Sequence, residues 1–231
     1  ETALTNNRDL RVAALNVEKV KAMYGISRAN LLPTVNATGT WYRERVPADL
    51  SASGSAYTVE KYSVNLGMTS WEIDFFGRIR SLKDAALEDY LGSQQALSGS
   101  HTLLISTVAQ AYLALAADRE ILQLAAKTLE AQQAAYKLIR KRYDVGMVSE
   151  LDLRRAQSQV DVAQGDLARY TQLVAQDVNA LNLLAGSQVK PDLLPANLAD
   201  VGALRDISAG LSSEPLLQRP DVLAAEHRLK D

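Results

Sequence analysis

Two ladders of apolar residues, each repeating every seven positions, constrain this chain more than any other feature. Val108, Leu115, Leu122, Leu129, Tyr136 and Tyr143 form the first, and Leu153, Val160, Leu167, Val174 and Leu181 form the second. A strict seven-residue repeat keeps one seam of a slightly underwound helix against a partner, so both runs predict coiled-coil helices. Only Val145, Gly146, Met147, Val148 and Ser149 separate them. The two helices must therefore fold back on each other as a long antiparallel hairpin.

What flanks the hairpin has a different period. Apolar residues at Leu10, Ala13, Ala14, Val17, Val20 and Met23 predict a helix, capped by Thr5 or Asn6 and running to about Asn30, before Pro33 stops it. From 33 to 46 the period drops to two, with Val35, Ala37, Gly39 and Trp41 on one face and Asn36, Thr38, Thr40 and Tyr42 on the other. That alternation predicts a strand. Residues 47–60 are rich in Ser, Ala and Gly and read as an exposed loop. Tyr62, Val64, Leu66 and Met68 then alternate with Ser63, Asn65, Gly67 and Thr69, which predicts a second strand, continuing through Trp71, Glu72, Ile73 and Asp74 to Gly77. The two strands form one hairpin, and Glu72 and Asp74 share a face near its end.

No proline interrupts residues 79–144, which at 1.5 Å per residue make a helix of roughly 100 Å. Gly92 and Gly99 each weaken it by about 1 kcal/mol relative to alanine without ending it. The returning helix, from Glu150 to about Ala185, covers only about 55 Å, and the N-terminal helix about 39 Å. Stacked end to end, those two nearly match the long one. Beyond Gly186, a punctuated stretch containing Pro191, Pro195, Gly202, Gly210 and Pro215 reads as a small irregular connection. A further helix is expected from about Gln218. Asp9-Leu10, Ala13 and Val17 recur there as Asp221-Val222, Ala225 and Leu229, an offset of about 212 residues that suggests a duplicated protein.

Composition removes several function classes. A net charge of −2 gives no basic excess for nucleic acid, and the absence of cysteine excludes disulfides and thiolate metal sites. The sequence carries no signal peptide and no apolar run of transmembrane length, so a membrane-crossing helix is not expected. Barrel strands escape that test, because they are short and only alternately apolar. His101 and His227 lack neighbouring ligands at metal spacing, and no nucleophile, base and orienting group come together. Neither an enzyme nor a cofactor is expected.

The hairpin tip has its own chemistry. Gly146 is placed to be the left-handed residue ending the long helix. Ser149 caps the next helix with Asp152 as its capping-box partner, and Val148 can staple onto Leu153. Met147 has only Arg142 or Lys141 across the glycine cap, so its flexible apolar side chain lacks an intramolecular home and suits a docking contact. Lys137, Arg140, Lys141 and Arg142 suit the negative end of the helix dipole better than a docking role.

Four blocks, in order, resemble the outer-membrane factor family of TolC/OprM type. They are Asn7-Arg8-Asp9-Leu10-Arg11-Val12-Ala13-Ala14, Trp71-Glu72-Ile73-Asp74-Phe75-Phe76-Gly77-Arg78, the turn from Arg142 to Leu153, and Arg219-Pro220-Asp221. The resemblance is to the outer-membrane channels of RND multidrug efflux pumps in Gram-negative bacteria. It implies a mainly α, TolC-like fold: a long helical hairpin with a two-stranded contribution to a shared barrel, in a homotrimer whose helical part is periplasmic.

On that basis residues 1–31 would be a periplasmic helix, 32–77 the barrel hairpin, 78–186 the tunnel hairpin, and 187–231 an equatorial connection and the start of a second repeat. Val35, Ala37, Trp41, Val64, Leu66 and Met68 become candidates to face outer-membrane lipid. The tip at Gly146, Met147, Val148 and Ser149 becomes the candidate docking site for a periplasmic adaptor (membrane fusion protein), with an inner-membrane RND transporter beyond it. The lipid-bearing cysteine common in such pump proteins and a full second repeat are not in this sequence, so no anchor or gate residue is assigned. Two other readings stay open: a periplasmic adaptor or coiled-coil scaffold, and the protein-secretion branch of the same channels.

Overall fold

The computed structural model describes residues 1–68, 71–202, 210 and 212–230. In order, the elements are α1 (Thr2–Asn6), α2 (Arg8–Ala29), β1 (Val35–Val46), β2 (Tyr57–Met68), α3 (Arg78–Asp144), α4 (Glu150–Ala185), α5 (Glu214–Leu217) and α6 (Pro220–Lys230). Short 3-10 turns at Pro191–Leu193 and Leu198–Asp200 occupy the connection after α4. The parts of the expected second strand at Thr69 and Ser70, and of the expected connection at 203–209 and 211, lie outside the described residues. The chain divides into two units, one of Glu1–Val17 with Gln94–Ala224, the other of Glu18–Ser93 with Ala225–Asp231.

In the first unit the heptad seam is real and doubled. Along α3, Val108, Leu115, Leu122, Leu129 and Tyr136 are shielded, and so are the residues three further on, Ala111, Asp118, Ala125, Gln132 and Ile139. The same pair of rows recurs on α4, through Leu153 to Leu181 and through Ala156 to Leu184. This is the a/d geometry of a two-helix seam. Most seam positions are only half-buried, and Leu115 is the one large side chain that is completely enclosed among the described residues. Tyr143, the last rung before the turn, is exposed.

The expected end-to-end junction lies in this unit, but its cap is neither Thr5 nor Asn6. Asn7 leaves helical geometry at φ −61°, ψ 129° and separates α1 from α2. Its Oδ1 accepts from the Leu10 amide at 2.8 Å, capping α2, while its Nδ2 donates to the Leu184 carbonyl at 2.9 Å, at the end of α4. One side chain thus satisfies an orphan donor of the incoming helix and an orphan acceptor of the outgoing one. α1 packs against α4. Gly186 ends α4 in the left-handed conformation, φ 67°, and any Cβ there would run into the Asn6 carbonyl. Arg119 of α3 donates to the Pro195 carbonyl at 2.7 Å and fastens the connection.

The second unit holds the ribbon. β1 and β2 pair antiparallel from Val35↔Met68 to Val46↔Tyr57. β2 begins five residues earlier than expected, because Arg43 reaches Glu60 at 3.1 Å and Glu44 pairs with Val59, which draws the supposed loop end into the ladder. It also ends earlier, since residues 71–74 are not strand. Their alternation is strand-like, but Asp74 accepts from the Arg80 amide at 3.0 Å and so caps α3. Arg78 and Arg80 pair with Glu72 and Asp74 across the same turn. Tyr24 stacks on Tyr90 with centroids 6.4 Å apart, and His227 meets Glu88 at 2.6 Å, so α2 and α6 each touch α3 in this unit. α6 begins at Pro220 rather than Gln218, which is 212 residues after the start of α2.

One expectation about composition is overturned. By length and composition alone, α3 contains an 18-residue stretch apolar enough to cross a membrane. The reason is visible in its burial: Leu104 and Leu115 point into the seam while Leu103, Ile105 and Leu113 are exposed, so apolar residues occupy more than one face.

Candidate functional site

The ribbon's register collects the six strand candidates on one face. In an antiparallel ladder, directly opposed residues project to the same side. Val35 with Met68, Ala37 with Leu66, Gly39 with Val64 and Trp41 with Tyr62 therefore form four successive rows, and Arg43 with Glu60 forms the fifth. The opposite face carries Asn36, Thr38 with Asn65, Thr40 with Ser63, and Tyr42 with Lys61. Tyr42 donates to Glu44 on that polar side. Among the described residues nothing covers the apolar face: Val64 is 85% exposed, Leu66 77% and Met68 65%. A ribbon with one bare apolar face and one polar face is the repeating unit of a membrane barrel.

The hairpin tip is a complete Schellman turn followed by a complete capping box. The Met147 amide donates to the Arg142 carbonyl at 2.8 Å, the Gly146 amide to Tyr143 at 2.9 Å, and Gly146 has φ 76°. Ser149 Oγ accepts from the Asp152 amide at 3.2 Å, and the Asp152 carboxylate accepts from the Ser149 amide at 3.3 Å and its hydroxyl at 2.7 Å. Hydrogen bonds from the Ser149 hydroxyl and amide hold the Asp152 carboxyl below its ordinary value. Val148 and Leu153 are both partly covered, whereas Met147 is 76% exposed. Lys137, Arg140, Lys141 and Arg142 are all exposed in the last turns of α3, and Arg140 donates to the Tyr136 hydroxyl at 3.4 Å.

Three features escape the sequence patterns above. Asn7 and Asp74 act as caps, and Asp118 and Asp177 face each other across the α3/α4 seam. Burial pushes the Asp177 carboxyl up, and the charge and hydrogen bond of Asp118 push it further. Asp177 Oδ2 is enclosed without a hydrogen-bond partner among the described residues. The signal was present, since Asp118 and Asp177 stand three residues after the rungs Leu115 and Val174. Among the described residues no group of His, Cys, Asp and Glu is arranged to hold a metal ion; His101 is exposed and His227 is occupied by Glu88.

The ribbon and the seamed hairpin define a class: the TolC-like outer-membrane channels. Residues 1–187 match the family model described as outer membrane efflux protein, and the chain belongs to that family of the Gram-negative outer membrane. It is 44% identical over 230 residues to a probable efflux pump outer membrane protein, TtgC, of Pseudomonas putida, and 38% identical over 231 residues to outer membrane protein OprJ of Pseudomonas aeruginosa. Each alignment covers 100% of this chain and 48% of the relative, so the chain spans about half the length of the curated relatives it matches. The open-state crystal structure of the MtrE outer membrane channel of Neisseria gonorrhoeae superposes with a TM-score of 0.78 at 37% identity, covering 99% of this chain and 50% of that one. A membrane protein of Pseudomonas aeruginosa gives 0.82 at 39% identity, covering 99% and 53%. These matches favour the outer-membrane efflux reading over the adaptor, scaffold and protein-secretion alternatives. The family is one of channels rather than enzymes.

Proposed function

We infer that the full-length protein containing this chain is a passive outer-membrane duct, a homotrimer that carries small amphiphilic molecules out of the cell after an inner-membrane RND transporter and a periplasmic adaptor deliver them. The observation that carries this is the ribbon: an uncovered apolar face backed by a polar one, which needs lipid on one side and water on the other. Relatives named for antibiotic, toluene and solvent efflux support the substrate class. Their doubled length and the 212-residue offset between the starts of α2 and α6 support a second repeat. In this reading 1–31 is a periplasmic helix, 32–77 a barrel hairpin, 78–186 a tunnel hairpin, and 187–231 an equatorial connection leading into the second repeat.

Exposed surface supports the trimer. The chain leaves 17468 Å² accessible, where a monomer of its mass folded around its own core leaves on the order of 10,000 Å². Half-buried seam rows and exposed Leu103, Ile105 and Leu113 on α3 are what neighbouring helices would cover. At the tip, Gly146 and Ser149 set the shape, Val148 closes the staple, and Met147 is the contact offered to the adaptor. The test is complementation: a strain lacking its own efflux channel should regain resistance to toluene and lower dye accumulation when given the full-length protein with its cognate pump and adaptor. Unchanged dye accumulation, with the trimer present in the outer membrane, would refute the duct.

A further inference from the structure

The polar face of the ribbon has an uneven distribution of charge. Its rows nearest the helices are uncharged: Asn36 with Gly67, Thr38 with Asn65, and Thr40 with Ser63. Charge enters only in the next two rows, where Lys61 stands opposite Tyr42 and Glu44 stands opposite Val59. Among the described residues no other Lys, Arg, Asp or Glu lies on this face of the two strands, and both side chains are exposed. The two rows are two residues apart along a strand, about 7 Å.

The two faces treat their charges differently. On the other side Arg43 and Glu60 stand directly opposite and meet at 3.1 Å, and Glu60 also accepts from the Tyr62 hydroxyl at 3.4 Å. Contact neutralises that pair. On the polar side Glu44 accepts from Tyr42, two residues back on its own strand, and Lys61 makes no ion pair among the described residues. Register is the reason: Lys61 has Tyr42 across the ladder and Glu44 has Val59, so neither charge has the other as its direct partner. Each therefore acts on the solution beside it. Val35 and Met68 are the strand ends nearest α2 and α3, so the Lys61 and Glu44 rows lie toward the opposite end, at the turn of residues 47–56. With the helices in the periplasm and the polar face toward the lumen, that end is the outer mouth.

We propose that Lys61 and Glu44 form two stacked rings of opposite charge inside the outer mouth of the duct, whose balance removes the charge selection that either ring alone would impose. A homotrimer supplies each residue once per subunit, and so builds one cationic and one anionic ring of equal number. A ring of lysine favours anions, a ring of glutamate favours cations, and lumen charges of this kind tune the selectivity of a barrel. Only about 7 Å apart, the two cancel for a solute farther away than their separation. The reach of an unbalanced ring is set by salt, about 30 Å at 0.01 M and about 3 Å at 1 M. At low salt it would act across a wide lumen, and at high salt only beside the wall. This rests on the duct reading above, and the experiment separates the two.

The full-length protein would be reconstituted in planar lipid bilayers and its potassium-to-chloride permeability ratio measured for Lys61→Gln, Glu44→Gln and the double variant. At about 0.01 M salt, where screening is weak, Lys61→Gln is expected to raise the ratio several-fold and Glu44→Gln to lower it several-fold. The double variant should return to the unsubstituted value, and at about 1 M salt all four should converge. No shift in either single variant at low salt, or shifts of the same sign, would overturn the two rings. A double variant displaced as far as a single one would overturn their balance. Lys61→Ser takes the place of Lys61→Gln if the latter forms no channels. The lumen is checked separately with Thr40→Cys and Val64→Cys, using a charged thiol reagent that does not cross membranes; the reagent should change conductance at position 40 and not at 64. That result without the ratio shifts would overturn the rings and keep the duct, whereas modification at 64 and not at 40 would sink the duct reading itself.

Discussion

Asn7 serves two helices at once, and its substitution should show both roles. It is only 6% exposed. Removing its cap bond costs about 1 kcal/mol, and leaving the Leu184 carbonyl unpaired in a shielded site costs about 1–3 kcal/mol. Asn7→Ala is expected to lower stability by about 2–4 kcal/mol in denaturant unfolding. Asn7→Asp keeps the cap but sets a negative charge against the negative end of α4, so it should recover less than the cap alone is worth. Equal stability of Asn7→Asp and the unsubstituted protein would show that the Leu184 bond contributes nothing. Gly186 completes the junction: Gly186→Ala meets both a left-handed backbone, about 1–2 kcal/mol, and the Asn6 carbonyl.

Two carboxylates should give pH dependences of opposite sign. Asp152 titrates below its ordinary value when folded, so its contribution is present above the unfolded pKa of about 3.9 and is lost as pH falls through the folded value. Asp177 is raised. Its carboxyl favours the folded state most below about pH 3.9, and that contribution is lost as pH rises through the folded value. At neutral pH it is therefore a cost, and Asp177→Asn should stabilise the α3/α4 seam there. Unfolding midpoints at pH 4 and pH 7 check this; a gain at pH 7 no larger than at pH 4 would remove the Asp118–Asp177 repulsion from the account.

Among the elements, the ribbon makes the sharpest demand. In the full-length protein Val64→Lys and Leu66→Lys should each cost about 2–4 kcal/mol if the residues face the bilayer midplane, and should reduce trimer in outer-membrane fractions, while Thr40→Lys should be tolerated. Normal trimer yield for both first variants would reverse the faces. The faces were readable in the sequence because a period of two assigns every side chain to one side or the other. The strand ends were not. At one end, a Ser-, Ala- and Gly-rich loop blends into a strand whose boundary is fixed by the cross-strand pair Arg43–Glu60. At the other, Trp71 to Asp74 alternate like a strand, but Asp74 is taken by the amides that begin α3. The helices show the same division. Heptads specify the α3/α4 seam over long stretches, whereas the junction at Asn7 depends on contacts 177 residues apart, which no local pattern encodes.

For the whole molecule, the large accessible surface and the exposed tip both direct attention to assembly. The tip's backbone is satisfied by its own Schellman turn and capping box, so Met147 is not needed to hold the turn together; its amide does that work and its side chain is free. Met147→Asp therefore tests docking with little risk to folding, since it removes an adaptable apolar contact and leaves Gly146 and Ser149 in place. Val148→Asp is the contrasting variant, because Val148 is partly covered and its change would loosen the staple within the chain. In the full-length channel, Met147→Asp is expected to keep normal trimer yield and thermal midpoint while crosslinking to the adaptor and drug efflux both fall. Val148→Asp should lower the thermal midpoint as well. Crosslinking and efflux at unsubstituted levels for Met147→Asp, with normal trimer, would take Met147 out of the adaptor interface.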